Sequence, residues 1–116
     1  MRGQRRRALG RVEAFKASVR RWASWIGVEP QRVQIQRMTT KWASCSTSGR
    51  VSFSRDLLRE DPLFREVVIV HELIHLRVPN HGRLFKSLMN AYLPDWEEKV
   101  NGRVSRLCGY QRLPER

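Results

Sequence analysis

Cysteine is scarce in this 116-residue chain: Cys45 and Cys108 are the only two, far apart and without CxxC spacing. That excludes a disulfide framework and favours reduced thiols in a reducing compartment. No apolar run approaches the length of a bilayer crossing, so no membrane-spanning segment is expected. The N-terminus, MRGQRRRALGR, is positive like the start of a secretory signal and arginine-rich like a transit peptide. No apolar h-region follows it, and the chain reads as cytoplasmic. A phosphate-cradling glycine loop is missing, and so is any base-reading motif. Acidic residues are few, 11 against 23 basic ones, for a formal charge of +12. Such a field attracts nucleic acid, nucleotides or acidic protein surfaces, although a solvated basic face alone would also produce it.

What is present indicates one globular domain over residues 1–116, with 1–7 as a flexible basic tail. Apolar residues make up 41% of the chain and charged ones 29%, too apolar for a disordered segment. Ala8, Val12, Phe15, Val19, Trp22 and Ile26 recur at helical spacing, and Gly27 supplies a stop. Val33 and Ile35 alternate with glutamines as in a half-buried strand. WASCS (42–46), a TSG turn at 47–49 and RVSFS (50–54) read as a hairpin. A short helical turn, RDLLRE, comes next. Asp61-Pro62 then starts a helix, with an acidic N-cap and proline at the first helical position. Its near-continuous apolar run predicts a central, buried helix ending near Arg77, because Pro79 excludes Val78 from helical geometry. Asn80 is expected to cap the following helix. Pro94 is expected to start a last one, with Trp96, Val100, Val104 and Leu107 inward.

All three histidines of the chain lie within HELIHLRVPNH (71–81). On a helix His71 and His75 share one face, about 6 Å apart along the axis, so both imidazoles can reach one metal ion. Glu72 lies on the flank, near enough to meet a water on that ion without ligating it. A catalytic zinc site needs three protein ligands and one open position. His81, returned by the Val-Pro-Asn turn, is the expected third ligand, sitting in the first turn of the next helix, whose dipole would keep it neutral. A histidine in a helix is usually just a satisfied polar residue. Burying His71, Glu72 and His75 on a wholly apolar helix without partners would be costly, however, which favours metal. The expectation is one zinc ion on His71, His75 and His81, with Glu72 as general base toward the activated water. Cys45 as a fourth ligand would close the open position. With every histidine engaged, Tyr92, Tyr110 or an arginine remains to stabilise an oxyanion.

The His71-to-His81 spacing equals that of the metzincin peptidases, but their glycine is Val78 here and no methionine turn is seen. The chain instead resembles the YgjP-like zinc metallopeptidases, within the zincin group and akin to SprT-like domains. The resemblance rests on KWASCS (41–46), RVSFSRDLL, VVIVHELIHLRVPNHGRLF and LPDW (93–96), roughly Met38 to Trp96. Lys41, Ala43, Gly82 and Lys86 depart from the family pattern, whereas the histidine–glutamate motif is intact. The resemblance implies an α+β, zincin-like fold: a small sheet against a central metal helix with flanking helices. It also implies a metallopeptidase acting on a peptide or protein substrate. The edge strand near the cleft is assigned to Arg50–Ser54, and Trp42, Ser44, Val51 and Phe53 are the candidate substrate contacts. Two alternatives use the basic surface: hydrolysis of nucleotides or other phosphate compounds, or a nucleic-acid-associated module with Arg2, Arg5, Arg6, Arg7 and Arg11 along the phosphates.

Overall fold

The structure, a computed structural model, describes the backbone of residues 2–100 and the side chains of residues 10–98. Helix α1 (Arg2–Ile26) is followed by strands β1 (Arg32–Gln36), β2 (Ala43–Cys45) and β3 (Arg50–Ser54). A 3-10 turn (Arg55–Arg59) then leads to α2 (Pro62–Ile74), α3 (Arg83–Tyr92) and α4 (Trp96–Val100). The first helix begins at Arg2 and so takes in the residues expected as a tail. Val104 and Leu107, expected inward on the last helix, lie outside the described residues. Among the described residues, no helix is long and apolar enough to cross a membrane.

The stripe on α1 is buried as its spacing requires: Phe15, Val19, Trp22 and Ile26 all belong to the core. Gly27 ends the helix with φ of 87°, a left-handed conformation that side chains resist. Its amide and that of Val28 both bond the Ala23 carbonyl, at 2.8 and 2.9 Å.

The sheet order is β1-β3-β2, with β1 parallel and β2 antiparallel to β3. The expected hairpin is therefore present, closed by Gly49 at φ 95°. Register places Val33 beside Val51, and Ile35 and Ala43 beside Phe53, so one face is apolar and meets the helices. Phe15 meets Phe53 there edge-on, with ring centroids 5.0 Å apart. The other face carries Gln34, Ser44 and Ser52, and the Gln34 amide donates to the Ser52 hydroxyl at 3.3 Å.

The order corrects one expectation. Arg50–Ser54 is the central strand, hydrogen-bonded on both sides, and the edges are β1 and β2. The hairpin spacing showed only that β2 and β3 pair; that β1 closes the far side of β3 is a long-range choice.

Helix α2 is the axis of the molecule. The Asp61 carboxylate accepts from the Phe64 amide at 2.8 Å, and Pro62 occupies the first turn, where its missing N–H costs nothing. From Val67 to Ile74 every residue is buried. The β-branched run VVIV would suit a strand equally well by propensity. Burial on all sides, between α1, β2, α3 and α4, selects the helix. The Arg77 guanidinium donates to the Ile26 carbonyl at 3.2 Å, tying the exit of α2 to the C-terminus of α1.

Candidate metal centre

The last turn of α2 carries His71 and Glu72, and His75 is its C-cap. Regular helix stops at Ile74, a few residues before the expected end. Beyond it the Leu76 and Arg77 amides bond the Leu73 and Ile74 carbonyls, three residues back, at 3.1 and 2.9 Å. This tightened turn and Pro79 reverse the chain, and His81 comes back over the helix end. The Nε2 atoms of His71 and His75 are 3.3 Å apart, those of His71 and His81 3.3 Å, and those of His75 and His81 2.9 Å.

That triangle fits a cation. Three nitrogens bound tetrahedrally at 2.0–2.1 Å from a common centre lie about 3.3 Å from one another. The Nδ1 of His75 lies 3.2 Å from the Val78 carbonyl oxygen, which can only accept. The proton of neutral His75 therefore resides on Nδ1, and its Nε2 presents a lone pair toward the other two rings. When the other two Nε2 atoms also carry lone pairs, as metal binding requires, the three repel unless a positive centre lies among them. The donor set, nitrogen without thiolate or bulk carboxylate, suits zinc or a neighbouring transition metal.

Both half-exposed rings are held neutral. Burial lowers the His75 pKa against the opposing pull of the Val78 and Pro79 carbonyls. Burial, followed by the charges of His75 and Lys86, lowers that of His81 to about 4. The expected direction is present but the expected cause is not. His81 precedes Gly82, the N-cap of α3, and so lies outside the first turn and its dipole. Asn80 is likewise no cap: its side-chain oxygen accepts from the Gly82 amide at 3.1 Å, a contact within the turn.

Glu72 is fully buried, with Oε2 4.0 Å from His71 Nε2. A carboxylate at that distance flanks the nitrogen triangle without belonging to it. Among the described residues, the three histidines form the cluster able to hold an ion, and Cys45 is not part of it.

Beneath the rings lies a residue the motif reading did not single out. The Phe85 ring centroid is 5.0, 4.7 and 4.8 Å from those of His71, His75 and His81. It is fully buried and forms an apolar platform that restricts all three imidazoles. The available signal was its position, four residues after His81 on the apolar face of α3.

The candidate substrate contacts divide. Val51 and Phe53 have no exposed surface, because their central strand turns them into the core. Trp42 is 6% exposed and packs edge-on against Phe64, at 5.2 Å. These three are walls of the core and not a substrate surface. Ser44 is half-buried on the polar face of edge strand β2. Tyr92 packs edge-on against Trp22, at 6.3 Å, and Tyr110 lies outside the described residues.

The YgjP-like, metallopeptidase domain family matches residues 4–101. Among curated proteins no sequence match was found. Two solved structures share the fold. The crystal structure of the metallopeptidase zymogen of Pyrococcus abyssi abylysin superposes with a TM-score of 0.67 at 16% identity, covering 81% of this chain and 98% of that one. The zymogen of Methanocaldococcus jannaschii jannalysin superposes with a TM-score of 0.68 at 23% identity, covering 78% and 96%.

Proposed function

The chain belongs to the YgjP-like metallopeptidase domain family, and from that membership we propose a zinc-dependent peptidase with one ion on His71, His75 and His81 and Glu72 as general base. The observation that carries this reading is the Nε2 triangle at the end of α2, whose edges of 2.9–3.3 Å match the spacing of a tetrahedral donor set. Bound zinc supplies a Lewis acid for a scissile carbonyl and brings the pKa of its water to about 7.

The protein's own groups do the rest. Val78 holds His75 in the tautomer that frees Nε2, and Phe85 limits the tilt of all three rings. Glu72 accepts the proton of the attacking water and returns it to the departing amine, so that the leaving group departs neutral. Its complete burial removes competing hydrogen bonds from bulk solvent, which strengthens its interaction with that proton. An extended peptide would add to the outer edge of β2, the edge strand packed against α2. Ser44 would then be the flanking residue.

The test compares zinc-loaded wild type with Glu72→Gln against a panel of unstructured peptides and a set of nucleoside triphosphates. The expected result is peptide cleavage that falls by about 10²–10⁴ in the variant, with equal zinc content by elemental analysis. Undiminished cleavage would remove Glu72 as base. Turnover of triphosphates alone, under the same metal loading, would replace peptidase with phosphate hydrolase.

A further inference from the structure

A groove of about 400 Å³ lies between the middle of α1, strand β1 and the 3-10 turn, and it shares no residue with the metal centre. Four cationic side chains line it: Arg11 and Lys16 from α1, Arg55 and Arg59 from the 3-10 turn. No acidic residue lines it among the described residues. Among the described residues, none of these four side chains has a hydrogen bond or an ion pair, whereas the Arg21, Arg65 and Arg77 side chains each find an acceptor. The remaining lining is aliphatic: Val12, Ile35 and Leu58. Four unpaired like charges around one concavity repel each other, and an anionic ligand relieves that repulsion.

The composition of the groove discriminates among anions. Among the described residues its lining offers no aromatic ring on which a nucleic acid base could stack. Aliphatic surface instead suits the apolar side chains of a peptide. Ile35 belongs to β1, whose outer edge carries no partner strand among the described residues, so an extended segment has a backbone template beside the groove. The chain's own C-terminal residues have the wrong sign to fill it: residues 101–116 contain Arg103, Arg106, Arg112 and Arg116 against Glu115 alone.

We propose that this groove and the edge of β1 capture a segment of a second protein in extended conformation, one in which acidic and aliphatic residues alternate along the same face of the strand. Acidic side chains meet Arg11, Lys16, Arg55 and Arg59, and the intervening apolar ones lie on Val12, Ile35 and Leu58. Because β1 and β2 are opposite edges of the sheet, a protein held here is tethered away from the strand assigned to the scissile segment. This second site goes beyond the peptidase reading, and its test needs neither metal nor turnover.

The probe is a fluorescein-labelled octapeptide in which pairs of glutamates alternate with pairs of leucines, so that each face of the extended strand carries both types. It is titrated by fluorescence anisotropy against the full chain carrying Glu72→Gln to prevent cleavage. An octapeptide of alternating lysine and leucine pairs and a 20-residue oligothymidylate serve as comparators. The expected result is binding of the acidic peptide that weakens with salt, with no binding of the basic one. R55E/R59E should weaken it about tenfold or more, and Leu58→Ser about threefold, a loss that bulk charge does not explain. R21E/R50E, which changes the net charge equally, should leave it within about twofold. Circular dichroism verifies each fold, and Arg59→Glu alone replaces the double variant if that one fails to fold. Three results would overturn the proposal: equal weakening by R21E/R50E, no effect of Leu58→Ser, or oligothymidylate binding more tightly than the peptide and being lost in R55E/R59E.

Discussion

The Nδ1 of His75 faces the carbonyl oxygen of Val78 at 3.2 Å, and Val78 is the residue that Pro79 constrains. One backbone contact thus joins the orientation of a metal-directed imidazole to the turn that returns His81. The proline does more than stop the helix: it sets the direction of a carbonyl that selects the tautomer of His75.

Pro79→Gly should therefore loosen the centre without unfolding the protein. Affinity for zinc is expected to fall by about 10–100-fold, the range seen when a group orienting a ligand is lost. Competition with a chromophoric chelator measures this, with the far-ultraviolet circular dichroism unchanged. Wild-type affinity in the variant would mean that the turn does not position His81.

Phe85→Ala removes the platform under three rings and leaves a cavity in the interior. The expected cost is about 3–5 kcal/mol in urea unfolding, and Phe85→Leu should cost markedly less. Zinc affinity should decline in the alanine variant, since the imidazoles gain freedom. A destabilised variant with unchanged affinity would confine Phe85 to packing.

Phe53→Ala tests the correction to the substrate surface. As a fully buried core residue it should cost about 3–5 kcal/mol, with KM of the remaining folded protein unaltered. Ser44→Tyr, on the polar face of edge strand β2, should instead raise KM with little loss of stability. A KM effect at Phe53 without destabilisation would restore it as a contact.

The metal-free protein should lose stability as the pH falls. Burial depresses the His81 pKa to about 4, so the unfolded chain binds a proton near pH 6.5 while the folded one stays neutral. The contribution of that neutral ring is fully present above the unfolded value. It declines between about pH 6.5 and 4, and His75, lowered in the same direction, adds to the slope. Urea unfolding of the chelator-treated protein across that range checks it, and a flat profile would contradict the burial of His81. Bound metal should shift the loss to lower pH, because protons then compete with the ion.

Much of this was legible along the chain because it depends on neighbours in sequence. Asp61-Pro62 marks a helix start through bonds that reach only three residues. The 71/75 pair shares a face by helical geometry alone, and Pro79 ends regular helix wherever it occurs. The misreadings fall where distant segments decide. Val51 and Phe53 look like edge residues in a hairpin read alone, and become core when Val33 and Ile35, eighteen residues earlier, pair with them from the other side of β3. His81 falls one residue before the N-cap of α3 because the return turn, not the cap, consumes Asn80.

The sequence by itself determined the histidine trio and its spacing, since a helical repeat and a proline-forced reversal are local properties of the backbone. Only the tertiary structure decided which strand is the edge, what supports the imidazoles and why protonation of His75 and His81 is disfavoured. Those depend on burial and on pairing between segments far apart, which no local pattern encodes. The same holds for the cationic groove: four cations scattered from Arg11 to Arg59 become one site only when α1 and the 3-10 turn pack side by side.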